Sequence, residues 1–121
     1  MEREFRLLDS DVLDKEHFPI TAFFNSISDS DFIETIKNLS LGIGVGINAT
    51  VCLFPDDLDP DEEKFEGIMF SLHDDEVIVD YQTFLYYLEK ACSVFIEVYP
   101  DKKSIIDTCR DKVKNRFGSG T

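Results

Sequence analysis

The chain predicts an α+β domain: one antiparallel sheet of about three to five strands, packed with an early helix and two C-terminal helices. Two observations carry that expectation. Runs of strand length, rich in β-branched and aromatic residues, occupy the middle of the chain and are parted by turn-forming or charged stretches. On either side of them, apolar residues recur at helical spacing. At 121 residues, 43% of them hydrophobic, the chain reads as a single domain, 1–121, able to bury a core without staples. The same apolar content excludes a disordered chain.

Residues 1–20 mix charged and apolar groups without clear period, and they read as an irregular N-terminal arm packed on the domain. Ala22-Phe-Phe-Asn-Ser26 then leads to a helix start. Ser28 is a good N-cap, Asp29 and Asp31 fall in the first turn where the macrodipole favours them, and Phe32, Ile33, Ile36 and Leu39 mark one apolar face. This helix runs to about Leu39 or Ser40.

Leu41-Gly-Ile-Gly-Val-Gly-Ile47 follows. Glycines at period two leave one face of an extended segment bare, which suits close backbone packing. A phosphate-cradling loop is the sharper alternative, but the third glycine of GxGxxG is missing and there is no Walker lysine. Asn48 to Phe54 reads as a strand ended by Pro55, Phe65 to Leu72 as a second, and Glu76 to Asp80 as a third. The short link His73-Asp-Asp75 makes the last two an antiparallel hairpin. A helix begins at Asp80 or Tyr81, with Phe84, Leu88, Ala91, Cys92, Phe95 and Tyr99 at helical spacing, and Pro100 stops it. Asp101 is placed to cap the last helix, whose stripe is Ile105, Ile106, Cys109, Val113 and Phe117; residues 118–121 form a polar tail.

Charge is the dominant feature of the composition. The chain carries 25 acidic and 12 basic side chains, a net of −13. Residues 1–100 hold 22 acidic and 6 basic groups, whereas residues 101–121 hold 3 acidic and 6 basic ones. The densest acidic stretch is Phe54-Pro-Asp-Asp-Leu-Asp-Pro-Asp-Glu-Glu-Lys-Phe-Glu66, with seven carboxylates between Asp56 and Glu66, in a loop joining two strands. Such a loop attracts cationic partners and repels nucleic acid, so a basic protein is the expected ligand and no direct nucleic-acid binding is expected. A bland reading stands beside it, since charge runs on loops also serve as solvated surface that discourages aggregation. Pro55 and Pro60 reduce the entropy lost on docking, and Leu58 between carboxylates suits a desolvated contact, which favours binding.

The raw material for catalysis is thin. Cys52, Cys92 and Cys109 form no CxxC pair and sit among apolar residues, as buried free thiols in a reducing compartment do. His17 at a loop and His73 at a hairpin turn read as surface histidines, so no catalytic residue is assigned. Asp57-x-Asp59-x-Asp61 opens like a calcium loop, yet Glu62 stands where glycine is needed and Ile68 where a bidentate glutamate belongs, so neither metal nor cofactor is expected. Met-Glu-Arg-Glu-Phe-Arg6 lacks an apolar stretch and no run approaches the roughly 20 residues of a membrane span, so a cytoplasmic protein without a leader or membrane contact is the expectation.

Ala22-Phe-Phe-Asn-Ser26, Gly42-Ile-Gly-Val-Gly46, Cys52-Leu-Phe-Pro-Asp-Asp-Leu-Asp59, Phe65-Glu-Gly-Ile-Met-Phe-Ser-Leu72 and Tyr81-Gln-Thr-Phe-Leu-Tyr-Tyr-Leu88 with Ala91-Cys92 cover much of residues 20–100. Together they resemble the CdiI-type immunity proteins of bacterial contact-dependent growth inhibition systems, the ribonuclease-toxin immunity proteins. The resemblance implies a non-enzymatic antitoxin, made beside a large secreted exoprotein, that binds the exoprotein's C-terminal ribonuclease domain in a 1:1 complex in the cytoplasm. It leaves open EndoU-like and RNase A-like toxins, and the oligomeric state. The partner contact expected from the residues is Asp56, Asp57, Leu58, Asp59, Asp61, Glu62, Glu63 and Glu66, with Asp74 and Asp75 adjacent. Two other classes remain alternatives: an acidic adaptor or nucleic-acid mimic with several basic partners, and a small hydrolase using His73 with Asp74 or Asp75.

Overall fold

The computed structural model describes residue 7 and residues 11–47, 49–54 and 67–115. In chain order the elements are α1 (Phe18–Ser26), α2 (Asp29–Ser40), β1 (Val45–Ile47), β2 (Thr50–Leu53), β3 (Ile68–Leu72), β4 (Asp75–Val79), α3 (Tyr81–Val98) and α4 (Lys103–Val113). The strands form one antiparallel sheet in sequence order, β1-β2-β3-β4. Cys52 pairs with Phe70, and Phe70 with Val77, so strand alternation sends Cys52, Ile68, Phe70, Val77 and Val79 to one face. That face is buried against the helices.

The α+β expectation holds, with one helix more than the sequence spacing predicted. The irregular arm does not reach residue 20: a 3₁₀ turn spans Lys15–His17, opened by the Asp14 carboxylate accepting from the Glu16 amide at 2.9 Å, and α1 starts at Phe18. Pro19 in its first turn has φ already set for a helix. Ile20, Phe23, Phe24 and Ile27 are all buried, at the i, i+3, i+4, i+7 spacing of one helical face. Phe23 and Phe24 lie on Phe70 with ring centroids 5.5 and 6.0 Å away, and Phe84 of α3 meets the same ring at 6.1 Å. Each fully buried ring of this kind contributes about 2–3 kcal/mol of transfer free energy. What precedes α1 is tied down by hydrogen bonds. The Leu7 amide donates to Asn25 Oδ1 (2.8 Å), the Leu13 amide to the Tyr87 hydroxyl (2.8 Å), and the Tyr86 hydroxyl to the Asp11 carbonyl (2.8 Å).

Helix α2 spans the predicted residues. Ser28 occupies the N-cap position, but its hydroxyl bonds Asp31 Oδ2 at 3.0 Å instead of a backbone amide. Phe32 stacks on Phe95 of α3 at 4.4 Å. At its end the Gly42 amide donates to the Leu39 carbonyl and the Ile43 amide to the Asn38 carbonyl, both at 3.0 Å, with Gly42 at φ 73°. This is a Schellman stop, and it explains the first glycine of the GxGxG run as a helix terminator. Only Val45–Ile47 of that run is strand, and a Cβ on Gly46 would meet nothing nearer than 3.9 Å, so the close backbone packing expected of these glycines is not found there.

Helix α3 begins and ends as predicted, capped by Asp80 and stopped before Pro100. Asp101 does not cap α4. Pro100 starts a 3₁₀ turn over Pro100–Lys102, which moves the helix start to Lys103 and leaves Asp101 beside Lys102 at 3.9 Å. Ile106, Cys109 and Val113 are the buried stripe of α4, while Ile105 points outward, 41% exposed. Phe117 and the 118–121 tail lie outside the described residues. No described helix is long and apolar enough to cross a membrane.

Candidate functional site

The acidic residues singled out by the sequence attach to opposite ends of the sheet. Strands that alternate in direction place successive connections at alternate ends. Asp74 and Asp75, both exposed, belong to the β3–β4 turn, where Leu72 pairs with Asp75. His73 precedes them with φ 54°, in the left-handed region that glycine or asparagine usually fills. Its amide donates to the Ala49 carbonyl at 3.2 Å and so ties this turn to the β1–β2 link.

Asp56, Asp57, Leu58, Asp59, Asp61, Glu62, Glu63 and Glu66 lie outside the described residues, as do Pro55, Pro60 and Phe65; the calcium-like Asp57-x-Asp59-x-Asp61 goes with them. On one side of this segment Phe54 is buried, edge-on to Phe84 at 6.0 Å. On the other side Gly67 turns the chain back into β3 with φ 101°, so close to β4 that a Cβ would stand 2.3 Å from the Val79 carbonyl oxygen. Leu53 and Met69 pair at this end, whereas the β3–β4 turn is at the other, about 13 Å away along β3. The attachments therefore do not place Asp74 and Asp75 beside the 55–66 segment, as the linear sequence suggested.

Other carboxylates gather at the start of α2. Asp31 and Glu34, with Thr35 and Asn38, line a cleft of about 450 Å³ against β1, and no Lys or Arg among the described residues joins that lining. The Tyr99 hydroxyl donates to Asp29 at 2.9 Å. Among the described residues, most of the cations at the basic end of the chain are held in internal pairs. Lys103 and Arg110 hold Asp107 at 2.6 and 3.2 Å, and Lys114 reaches Glu89 at 2.9 Å. The Lys103 hydrogen bond keeps the Asp107 carboxyl below the usual carboxylate range. Lys37 and Lys112 stand on a smaller cleft, about 300 Å³, between α2 and α4.

Among the described residues, nucleophilic and acid–base groups are not assembled into a catalytic set. Burial pushes the Cys92 thiol up to about 12 and raises that of Cys109, so neither supplies a thiolate near neutral pH. Cys52 is buried as well. His17 does not stand free in a loop; its Nδ1 lies 2.8 Å from the buried Tyr87 hydroxyl, which already accepts from Leu13, so the pair fastens the chain ahead of α1 to α3. No three His, Cys, Asp or Glu side chains among the described residues converge as metal ligands.

One surface went unnoticed in the sequence. The face of the sheet turned away from the helices carries Leu53, Met69 and Ile78 as direct partners across β2, β3 and β4, with Val51, Ser71 and Glu76 in the next row. Ile78 is 48% exposed. The signal was available as the alternation of Met69 with Ile68 and Phe70, and of Ile78 with Val77 and Val79.

Residues 15–109, from the turn before α1 into α4 and including 55–66, match a family described as CDI immunity protein. No curated protein gives a significant match to the chain.

Proposed function

The chain belongs to the CDI immunity protein family, and from that premise we propose that it binds and neutralises the C-terminal ribonuclease domain of the contact-dependent inhibition exoprotein encoded immediately upstream. The observation that carries the finer reading is the seven carboxylates from Asp56 to Glu66, strung between adjacent strands of one sheet. A ribonuclease surrounds its RNA cleft with cationic groups that hold phosphates. Asp56, Asp57, Asp59, Asp61, Glu62, Glu63 and Glu66 occupy or clamp that cleft in place of phosphate, and Leu58 is the apolar anchor among them. Asp74 and Asp75 add to the acidic field from the opposite end of the sheet. Long-range attraction speeds capture toward about 10⁸ M⁻¹s⁻¹ at low salt. The protein acts by binding in the cytoplasm, one copy to one toxin domain, without catalysis or cofactor.

The test titrates the protein into the upstream-encoded toxin fragment, following heat and RNA cleavage together at two salt concentrations. Tight 1:1 binding that abolishes cleavage supports immunity, and binding without loss of cleavage assigns an adaptor instead. Combined Asp57→Asn, Asp59→Asn and Asp61→Asn weakens binding and flattens its salt dependence. A triple variant that binds normally at every salt concentration removes the 55–66 segment from the interface.

A further inference from the structure

From the open face of the sheet we infer a second part of the toxin contact: Leu53, Met69 and Ile78 form an apolar docking strip for the cationic toxin domain, an inference that rests on the immunity reading above. The strip is continuous because the three residues are direct cross-strand partners, with Cβ atoms about 5 Å apart. Val51 widens it in the next row, where Ser71 and Glu76 supply the polar border. Among the described residues all four helices lie over the other face or beside it, where Phe70, Cys52, Ile68 and Val79 are buried, whereas Ile78 keeps 48% of its surface exposed and Val51, Leu53 and Met69 are half-buried.

Charge selects the occupant. Glu76 opens onto this face, Asp74 and Asp75 mark one end of β4, and the chain that carries seven carboxylates leaves and re-enters the sheet next to Leu53 and Ile68 at the other. An apolar strip bordered by Glu76, with Asp74 and Asp75 at one end, is complementary to a basic surface with an apolar patch, the arrangement of a buried hot spot within a polar rim. A second copy of this chain fits poorly, because two molecules of net charge −13 repel and would set Glu76 toward like charge.

The experiment titrates the upstream-encoded toxin fragment into the wild-type chain and into Ile78→Asp, Ile78→Ala and Ile105→Asp, at low and high salt, with the melting temperature of each variant alongside. Ile105 is exposed on α4 and serves as the control for added negative charge. Docking on the strip predicts that Ile78→Asp raises Kd about tenfold or more at both salt concentrations, and that Ile78→Ala raises it about fivefold. Ile105→Asp stays within about twofold on the same scale. The sign is informative: if charge alone governed binding to a cationic partner, an extra carboxylate at 78 would hold or tighten it, and that result overturns the strip. Where Ile78→Asp lowers the melting temperature, Ile78→Ala decides. Wild-type binding with both Ile78 variants unchanged overturns the strip and leaves the immunity reading standing. A wild-type chain that fails to bind overturns both. A wild-type dimer dispersed by Ile78→Asp overturns it in favour of a second copy.

Discussion

The two faces of the sheet are built from the same strands and have opposite characters. On the helix side, Phe70 touches Phe23, Phe24 and Phe84, and the neighbouring Cys52 and Ile68 are closed to solvent. One residue along, Met69 faces the other way, between Leu53 and Ile78, where Ile78 stands half open. Period-two alternation lets a five-residue strand serve folding with one face and leave the other for a partner. The fold therefore depends strongly on the first set of side chains and weakly on the second, and that inequality is measurable.

Phe70→Ala gives the largest expected effect. It removes a ring at which two helices and the sheet meet, and costs about 4 kcal/mol through lost burial and the cavity left behind. Met69→Ala, the adjacent residue on the outer face, costs less, about 2 kcal/mol, since Met69 is only half-buried where Phe70 is closed to solvent. Urea unfolding of the two variants checks the pair. Equal losses would mean that both faces belong to the core and would remove the basis for a docking strip.

Gly67→Ala comes next, at about 3 kcal/mol. Its φ of 101° is unsuited to an L side chain, and the added methyl would collide with the Val79 carbonyl oxygen at 2.3 Å. The position joins the two faces, because it sets where β3 re-enters beside β4 after the acidic segment. Its effect should appear as a lower urea midpoint and, since Met69 and Ile78 lie just beyond, as weaker toxin binding under conditions where the variant remains folded.

Much of this architecture is legible in the chain, and the failures have physical causes. Helices α2 and α3 and the hairpin β3–β4 carry clean periods because each has one wet side. Helix α1 has the apolar spacing but no charged side to set it off: Phe18-Pro-Ile-Thr-Ala-Phe-Phe-Asn-Ser26 packs on β2, β3, β4 and α3 and turns out only Phe18, Thr21, Ala22, Asn25 and Ser26, so the polar face that marks a helix is faint. Gly42 and Gly46 look alike in a GxGxG run, but one ends a helix at positive φ and the other sits in an edge strand with room to spare. For the site, the acidic composition was plain, whereas the separation of Asp74 and Asp75 from the 55–66 attachments follows only from the alternation of connections along an antiparallel sheet. The pairing of Lys103, Arg110 and Lys114 with Asp107 and Glu89 was hidden in the same way, because Glu89 belongs to another helix and Asp107 becomes a neighbour only through the helical turn.

The smallest effect comes at Asp80, the residue between the end of β4 and the helix that closes over the inner face. Its carboxylate accepts from the Thr83 amide at 2.8 Å, and hydrogen bonds from the Thr83 hydroxyl and amide hold its pKa below the ordinary aspartate value of 3.8. Asp80→Ala loses this cap and about 1 kcal/mol at neutral pH. The pH dependence has a definite sign. A carboxyl with a lowered folded-state pKa stabilises fully above its unfolded value and loses that contribution as pH falls through the folded one. The gap in unfolding free energy between the parent chain and Asp80→Ala is therefore constant from pH 7 to about pH 5 and narrows below about pH 4. Taking the difference cancels the acid response of the other carboxylates, including relief of their mutual repulsion. Asp80→Asn, which keeps an acceptor and cannot titrate, should hold most of the stability at neutral pH and show no such narrowing against Asp80→Ala. A gap unchanged down to pH 3 would mean that the strand-to-helix joint is secured by packing on the inner face alone.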